Sequence, residues 1–394
     1  MAHPSSGAGR PKYELADIVR AHGDELKNST SLRPEQARTL KAIELCRTAA
    51  LGGHLDRCVD CGFERPAYNS CRNRHCPKCQ ALAQEQWIAA RMERVLPVGH
   101  FHVVFTLPSE LYPLVAFRRE EMLGLLMRTA AQTLGELART RLGVTLGITE
   151  VLHTWNREFG FHPHVHCVVT AGGQALDDSA WISKPKFLFP VKVLGALFRG
   201  KMMDAIRRLH RAHTFDAFDA FRDPQAFDSL MARVAKHAWV VYSKAPFASS
   251  RHVFEYLGRY THRVGIANSR LLVVEDGLVT FATKNGGTKT LRGVDFLRRF
   301  VRHILPPRFV KIRHYGLYAA ANVHTRLARA HARLQPVPPS EPSRPPASWV
   351  ELLLALVGRD VRVCPQCGGA IVVQALLATR VPRSAPSARA PPPP

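Results

Sequence analysis

The sequence predicts an α+β fold, a mostly antiparallel sheet with helices on one face, and a small zinc-binding domain ahead of it. Three observations carry this. The middle of the chain runs strand, helix, strand, strand, helix, strand, an order that suits one antiparallel sheet with packed helices. Seven metal-binding side chains, His54, Cys58, Cys61, Cys71, His75, Cys76 and Cys79, crowd residues 54–79. A hydrophobic content of 46% in 394 residues supplies a sizeable core, and the length allows about two or three domains.

Taken in order, residues 13–48 read as helical. Leu15, Ile18 and Val19 share one face, and Pro34 opens a second helix whose apolar residues are Leu40, Ile43 and Leu45. A helix over Ala81–Val95 follows the Cys/His cluster. Phe101–Leu107 is a β-rich run closed by Pro108, and Ala116–Leu142 is a long amphipathic helix. Ile148–Trp155 and His164–Thr170 are strands joined by a polar loop; Val191–His213 is a helix, and Ala238–Tyr242 is a further strand. His252–His262 reads as a helix. Leu271–Val274 and Leu278–Thr283 form a hairpin across Glu275-Asp276-Gly277, and a helix over Leu291–Leu305 stops at Pro306-Pro307. The expected units are a helical N-terminal region (1–53), a zinc-binding domain (54–95), a larger sheet domain (96–320), a basic then Pro-rich linker (321–348), a short C-terminal segment with a CxxC (349–380) and a disordered tail (381–394).

The charge narrows the function. Fifty-five Lys and Arg stand against 31 Asp and Glu, a formal net charge of +24. Such an excess strains a folded chain unless a polyanion offsets it, and nucleic acid is the usual one. An anionic membrane surface is the competing partner. The basic residues are spread along the whole chain and are not gathered in one amphipathic helix, which favours nucleic acid. Residues 1–20 lack the apolar segment of a secretory signal, and no apolar run approaches the roughly 18 residues of a membrane span. Cysteines in metal-ligand spacings point to a reducing, cytoplasmic compartment.

Two CxxC turns, Cys58/Cys61 and Cys76/Cys79, are expected to close one tetrahedral Zn²⁺ site. Cys71 and His75 stand close enough to replace one member or to serve a second ion; one zinc is the simpler reading. Arg72, Arg74 and Lys78 decorate this module as candidate DNA contacts.

His164 and His166 stand at i, i+2 on an expected strand, so both rings face one side while Val165 turns into the core. Paired imidazoles suit a divalent ion. His153, on the preceding strand, is a candidate third ligand if the two strands are neighbours. His162 lies before Pro163 and is placed outside the strand. Tyr256 and Tyr260 are at i, i+4 and share a helical face with Arg259 and Arg263 nearby. A phenol ionises near ~10, so as a nucleophile it needs a metal or base and cationic groups beside it.

These residues resemble the HUH (His-hydrophobe-His) endonucleases, in particular the two-tyrosine rolling-circle transposases of bacterial insertion sequences. The matching stretches are SCRNRHCPKCQ (70–80), FHVVFTLP (101–108), HTWNREFGFHPHVHCVV (153–169), WVVYSKAPF (239–247), YLGRYTHRVGIANSRL (256–271) and RRFVRHILPPRFVKIRHYGLYA (298–319). The resemblance covers about residues 35–320. It implies an RRM-like HUH nuclease palm behind a zinc-binding domain. It makes His164 and His166 ligands of a catalytic Mg²⁺ or Mn²⁺, and Tyr256 and Tyr260 the nucleophiles. It also implies single-stranded DNA at element ends and target as the partner, and a bacterial, nucleoid-associated setting. Rival readings are a rolling-circle replication initiator or relaxase, and a non-catalytic zinc-ribbon DNA-binding protein. Cys364 and Cys367 look like half a zinc knuckle with no assigned role.

Overall fold

The computed structural model describes residues 11–223, 225–237, 239–247, 265–283, 286–334, 346–358 and 360–379. The chain opens with α1 (Leu15–Ser29) and α2 (Pro34–Leu45). The Asp17 carboxylate accepts from the Glu14 N–H at 2.7 Å in the first turn of α1, where the helix dipole favours negative charge. Pro34 fills the first position of α2, where its missing N–H costs nothing. Strands β1 (Gly53–Cys58) and β2 (Glu64–Tyr68) form a hairpin, and α3 (Ala81–Met92) leads into β3 (His100–Thr106).

The expected long helix at 116–142 is broken in the structure. α4 (Tyr112–Phe117) ends where Arg118 leaves the helical region (φ −113°, ψ 68°) and its Nε donates to the Thr214 carbonyl at 2.7 Å. α5 (Arg119–Leu137) then runs almost wholly buried and closes in a π turn over Ala138–Leu142. β4 (Val144–Thr145), β5 (Gly147–Trp155), β6 (Phe161–Thr170), β7 (Gly172–Ala175) and β8 (Trp181–Ser183) follow. β6 begins earlier than expected and includes His162. Pro163 cannot donate to the ladder, and the register with β5 shifts between His153 and Trp155 to absorb it. Next come α6 (Val191–Arg211), α7 (Ala226–Lys236) and β9 (Val241–Phe247), the last displaced from the expected 238–242 by its pairing with β3. The segment 248–264, with the expected helix over 252–262, lies outside the described residues.

β10 (Leu271–Glu275) and β11 (Leu278–Ala282) make the expected hairpin, and β12 (Thr288–Arg292) adds a third strand. That strand takes the start of the helix expected from Leu291, which here spans Gly293–Val301. β13 is Ile312–Gly316. The expected linker at 321–348 contains a helix, Arg326–Leu334, whose Leu327 and Ala330 pack with Leu96, Leu317 and Tyr318. The C-terminal segment is not separate either. A helix at Trp349–Val357 precedes β14 (Ile371–Leu377), which pairs with β1 along its whole length.

Five strands, in the order β13–β5–β6–β3–β9, form one antiparallel sheet. Alternation decides its two faces. Phe101, Val103 and Phe105 of β3, Ile148 and Leu152 of β5, and Val165, Cys167 and Val169 of β6 share one core with α5 and α6. Phe105 packs on Phe198 of α6 with ring centroids 4.9 Å apart. The other face is not bare, as a one-sided sandwich would have it: Trp87 and Met92 of α3, with Val95, cover Val151 and Val168.

A second core joins the N-terminal helices to residues 266–304. Leu15 and Ile18 of α1 and Leu40 and Ile43 of α2 pack with Phe281, Phe296 and Phe300, and Phe159 reaches in from the β5–β6 turn. Helix Gly293–Val301 approaches α1 so closely that a Cβ on Gly293 would sit 2.0 Å from the His22 ring. Phe159 is fully buried and lies 5.1 Å from the Phe296 ring and 5.0 Å from His303. Phe159→Ala is expected to cost about 3–5 kcal/mol, the usual range for emptying a buried phenylalanine site. Urea denaturation checks it, and a loss below about 1 kcal/mol would mean this second core does not hold the β5–β6 turn.

Candidate metal centres

The helix-poor face of the sheet carries the histidines. On β6, His164 and His166 turn to the side opposite Val165 and Cys167. On β5, His153 stands directly across from His164 in the ladder. One potential ligand nitrogen from each of His153, His164 and His166 lies within 4.8 Å of the others. The condition set for His153, that its strand neighbour the His164 strand, is met. The rings meet edge to face, with centroids 4.4 Å apart for His153 and His166 and 4.8 Å for His164 and His166.

The outer nitrogens of His164 and His166 are held. The Nδ1 of His164 donates to the His162 carbonyl at 2.7 Å, which leaves Nε2 as the lone-pair side. His166 Nδ1 lies 2.7 Å from Nε2 of His102 on β3, and the two rings stack. His102 escaped the sequence reading. It sits two residues before Val104, the strand partner of His166, and the alternation of β3 puts it on the histidine face. The single imidazole in FHVVFTLP was the available signal. Burial lowers His102 and His164 to about 4 and pushes His166 well below its ordinary value. All three are therefore neutral near pH 7, the form in which an imidazole can bind a cation.

The cysteines group differently from the expectation. Cys76 and Cys79 do not join Cys58 and Cys61; they meet Cys46 and Cys71, with all four sulfurs within 4.8 Å. Cys46 Sγ is 3.3 Å from Cys79 Sγ, and Cys71 Sγ is 3.7 Å from it. Cys46 caps the end of α2, Cys71 follows β2, and Cys79 precedes α3, so an ion here would tie three elements together. Hydrogen bonds from Cys71 and Cys76 lower the Cys46 thiol to about 7. Four cysteines on such spacings are a tetrahedral thiolate donor set that fits Zn²⁺. His75 is no ligand of this group: its Nε2 accepts from the Leu305 N–H at 3.3 Å in the core. Cys58 and Cys61 instead face Cys364 and Cys367. CxxC spacing alone could not choose among the partners, because the late pair is some 300 residues away and Cys46 belongs to no CxxC.

Two families of known proteins match. Residues 147–326 match one described as "Putative transposase", and residues 18–107 match an IS91-type "Transposase zinc-binding domain", a span that holds Cys46, Cys71, Cys76 and Cys79. A relative from Sinorhizobium fredii, named "Putative transposase y4qJ", is 41% identical over 368 residues, covering 90% of this chain and 92% of that protein. The "Transposase for insertion sequence element IS801" of Pseudomonas savastanoi pv. phaseolicola is 29% identical over 365 residues, 88% of this chain and 85% of its own. No solved structure matches. Among the described residues, no helix is long and apolar enough to cross a membrane.

The basic residues expected at a DNA surface divide. Arg72 is exposed. Arg74 turns inward and donates to the Pro306 and Phe309 carbonyls, each at 2.6 Å. Lys78 pairs with Glu14 at 2.6 Å and donates to the Cys46 carbonyl. Arg259 and Arg263, like Tyr256 and Tyr260, lie outside the described residues. Arg74 thus fastens the zinc-binding module to the 306–309 turn. Arg74→Ala is expected to cost about 3–6 kcal/mol of stability, since charged hydrogen bonds contribute about 1.5–3 kcal/mol each. The salt dependence of DNA binding should not change; a shallower salt slope with unchanged stability would return Arg74 to the DNA surface.

Proposed function

The chain belongs to the rolling-circle transposase family with an IS91-type zinc-binding domain, and from this we propose that it cuts and rejoins single-stranded DNA at element ends and target through 5′-phosphotyrosine intermediates. In this reading the five-stranded antiparallel sheet is the RRM-like palm of an HUH nuclease. The observation that carries it is the convergence of His153, His164 and His166 on one face of β5 and β6. These three residues would hold Mg²⁺ or Mn²⁺. When bound, such an ion supplies positive charge that polarises a phosphate and eases loss of a phenol proton.

The chain's own groups do the rest. His162 and His102 fix the orientation of the ligand rings through their 2.7 Å contacts. Tyr256 and Tyr260 are the proposed nucleophiles. A phenolate oxygen attacks phosphorus, the bond from phosphorus to the 3′-oxygen breaks, and the departing oxygen takes a proton to leave a free 3′-OH. The tyrosyl ester keeps the energy of the broken phosphodiester, so a later 3′-OH can reverse the step without ATP. Two tyrosines permit two covalent events in one cycle. Arg259 and Arg263, beside them in sequence, suit the phosphate charge. The described chain resumes at Gly265, where a Cβ would be 2.5 Å from Phe159 and 3.3 Å from His303. His303 touches Trp155, which stacks on His153, so a chain of ring contacts runs from Gly265 to the imidazoles.

Single-stranded DNA carrying an element end, labelled on the 3′ side of the cut, should yield a covalent protein adduct that needs Mg²⁺ or Mn²⁺. The adduct should vanish in the Tyr256→Phe/Tyr260→Phe double variant and in His166→Ala, with salt-sensitive DNA binding retained. Adducts that persist in the double variant would overturn the nucleophile assignment.

His102 is proposed as a positioning residue for His166. His102→Ala should weaken Mn²⁺ binding about 10–100-fold, the usual effect of removing the partner of a ligand histidine. His102→Gln should recover part of the loss. Calorimetric titration with Mn²⁺ measures both, and an affinity unmoved by His102→Ala would remove that role.

A further inference from the structure

We propose that the chain holds a second structural zinc, at Cys58, Cys61, Cys364 and Cys367, so that the C-terminal segment supplies half of a metal site whose other half lies in the N-terminal zinc-binding module. Cys58 Sγ is 3.4 Å from Cys367 Sγ, and Cys61 Sγ is 3.7 Å from Cys364 Sγ. All four sulfurs fall within 4.8 Å of one another, and all nine cysteines of the chain are free. A tetrahedron with Zn–S bonds of about 2.3 Å has sulfur–sulfur edges of about 3.8 Å, close to these separations.

The two turns that present the thiols are built alike. In each, the first cysteine's N–H donates to the carbonyl five residues on: Cys58 to Phe63 at 2.9 Å, Cys364 to Gly369 at 2.8 Å. In each, a glycine after the second cysteine returns its N–H to the first cysteine's carbonyl: Gly62 to Cys58 at 3.2 Å, Gly368 to Cys364 at 3.1 Å. Both glycines have left-handed φ, +71° and +78°, which a side chain would strain. Gln366 and Gly369 also donate N–H groups to the sulfurs of Cys364 and Cys367, each at 3.4 Å, as suits thiolate ligands. The turns lie face to face. Val59 N–H donates to the Ala370 carbonyl at 3.0 Å, and a Cβ on Gly369 would come within 1.8 Å of the Asp60 carboxylate.

What holds this segment is not apolar burial. β14 closes the sheet beside β1, with Cys58 opposite Ile371. Yet Val372, Val373 and Leu376 of β14 are 46%, 58% and 85% exposed. A three-stranded sheet with so little covered surface is the kind of small module that a metal stabilises. The ligand pairs stand 309 residues apart at Cys58 and Cys367, so an ion here would close most of the chain into a loop.

The test counts metal, not activity. The full chain is made with His164→Ala and His166→Ala, so that the histidine cluster cannot contribute, and its zinc is measured by plasma mass spectrometry. Two zinc per chain are expected. Cys364→Ser/Cys367→Ser should retain one, and Cys58→Ser/Cys61→Ser should give the same value. In the cobalt-substituted protein the thiolate-to-cobalt absorption should halve in either double variant. That second readout separates loss of one site from general unfolding, which would abolish the band. One zinc in the parent chain would overturn the proposal. So would two zinc in the Cys364→Ser/Cys367→Ser variant, or a loss confined to Cys58→Ser/Cys61→Ser.

Discussion

The register between β5 and β6 is the constraint on which the site depends. Because side chains alternate along a strand, the pairing of His153 with His164 also sets Leu152 opposite Val165 and Glu150 opposite Cys167 on the reverse face. A slip of one residue would send imidazoles into the apolar layer against α5 and α6 and bring valines to the open side. Losing the apolar contacts of Ile148, Leu152, Val165 and Val169 together makes the pairing nearly all-or-none. The core and the histidine cluster are therefore two readings of one ladder. β3 extends the logic, since the alternation that buries Phe101, Val103 and Phe105 presents His102 to His166.

Much of this was legible in the sequence because it rests on period-two patterning. Alternation in FHVVFTLP and HPHVHCVV gave both strands and the facing of the paired histidines, and the Glu-Asp-Gly turn gave the β10–β11 hairpin. Features that depend on contacts across the chain were not legible. Arg118 interrupts the long helix because it reaches Thr214, and nothing within 116–142 announces that. The helix at Arg326–Leu334 needed Leu96, Leu317 and Tyr318 to make its apolar stripe worth burying. Arg74 and Lys78 read as surface charge because their acceptors, backbone carbonyls at 306 and 309 and the Glu14 carboxylate, are remote in sequence. The cysteines failed for the same reason. Local spacing ranks neighbours by distance along the chain, and the structure ranks them by distance in space.

The two cores divide the labour. The larger one fixes the sheet, and the smaller one clasps the N-terminal helices to the hairpin and helix that follow the tyrosine segment. Phe159 and His303 belong to the seam. His303 is fully buried, pushed down to about 3 by desolvation, and shares a 3.2 Å hydrogen bond with Thr154 on the β5 strand. Its neutral ring lets polar and aromatic contacts meet there without adding to the +24 already carried by the chain.

The pairing of β1 with β14 also has a temporal side. A ribosome adding roughly 5–20 residues per second needs about 15–60 s to travel from the first of these strands to the last. Throughout that interval the edge of the N-terminal hairpin emerges with a row of amide groups waiting for a partner not yet translated. A message cut short between β13 and β14 would release a chain whose five-stranded sheet is complete but whose first hairpin is left open to pairing with other chains. The first hairpin thus gains its third strand only after the whole five-stranded sheet has been made.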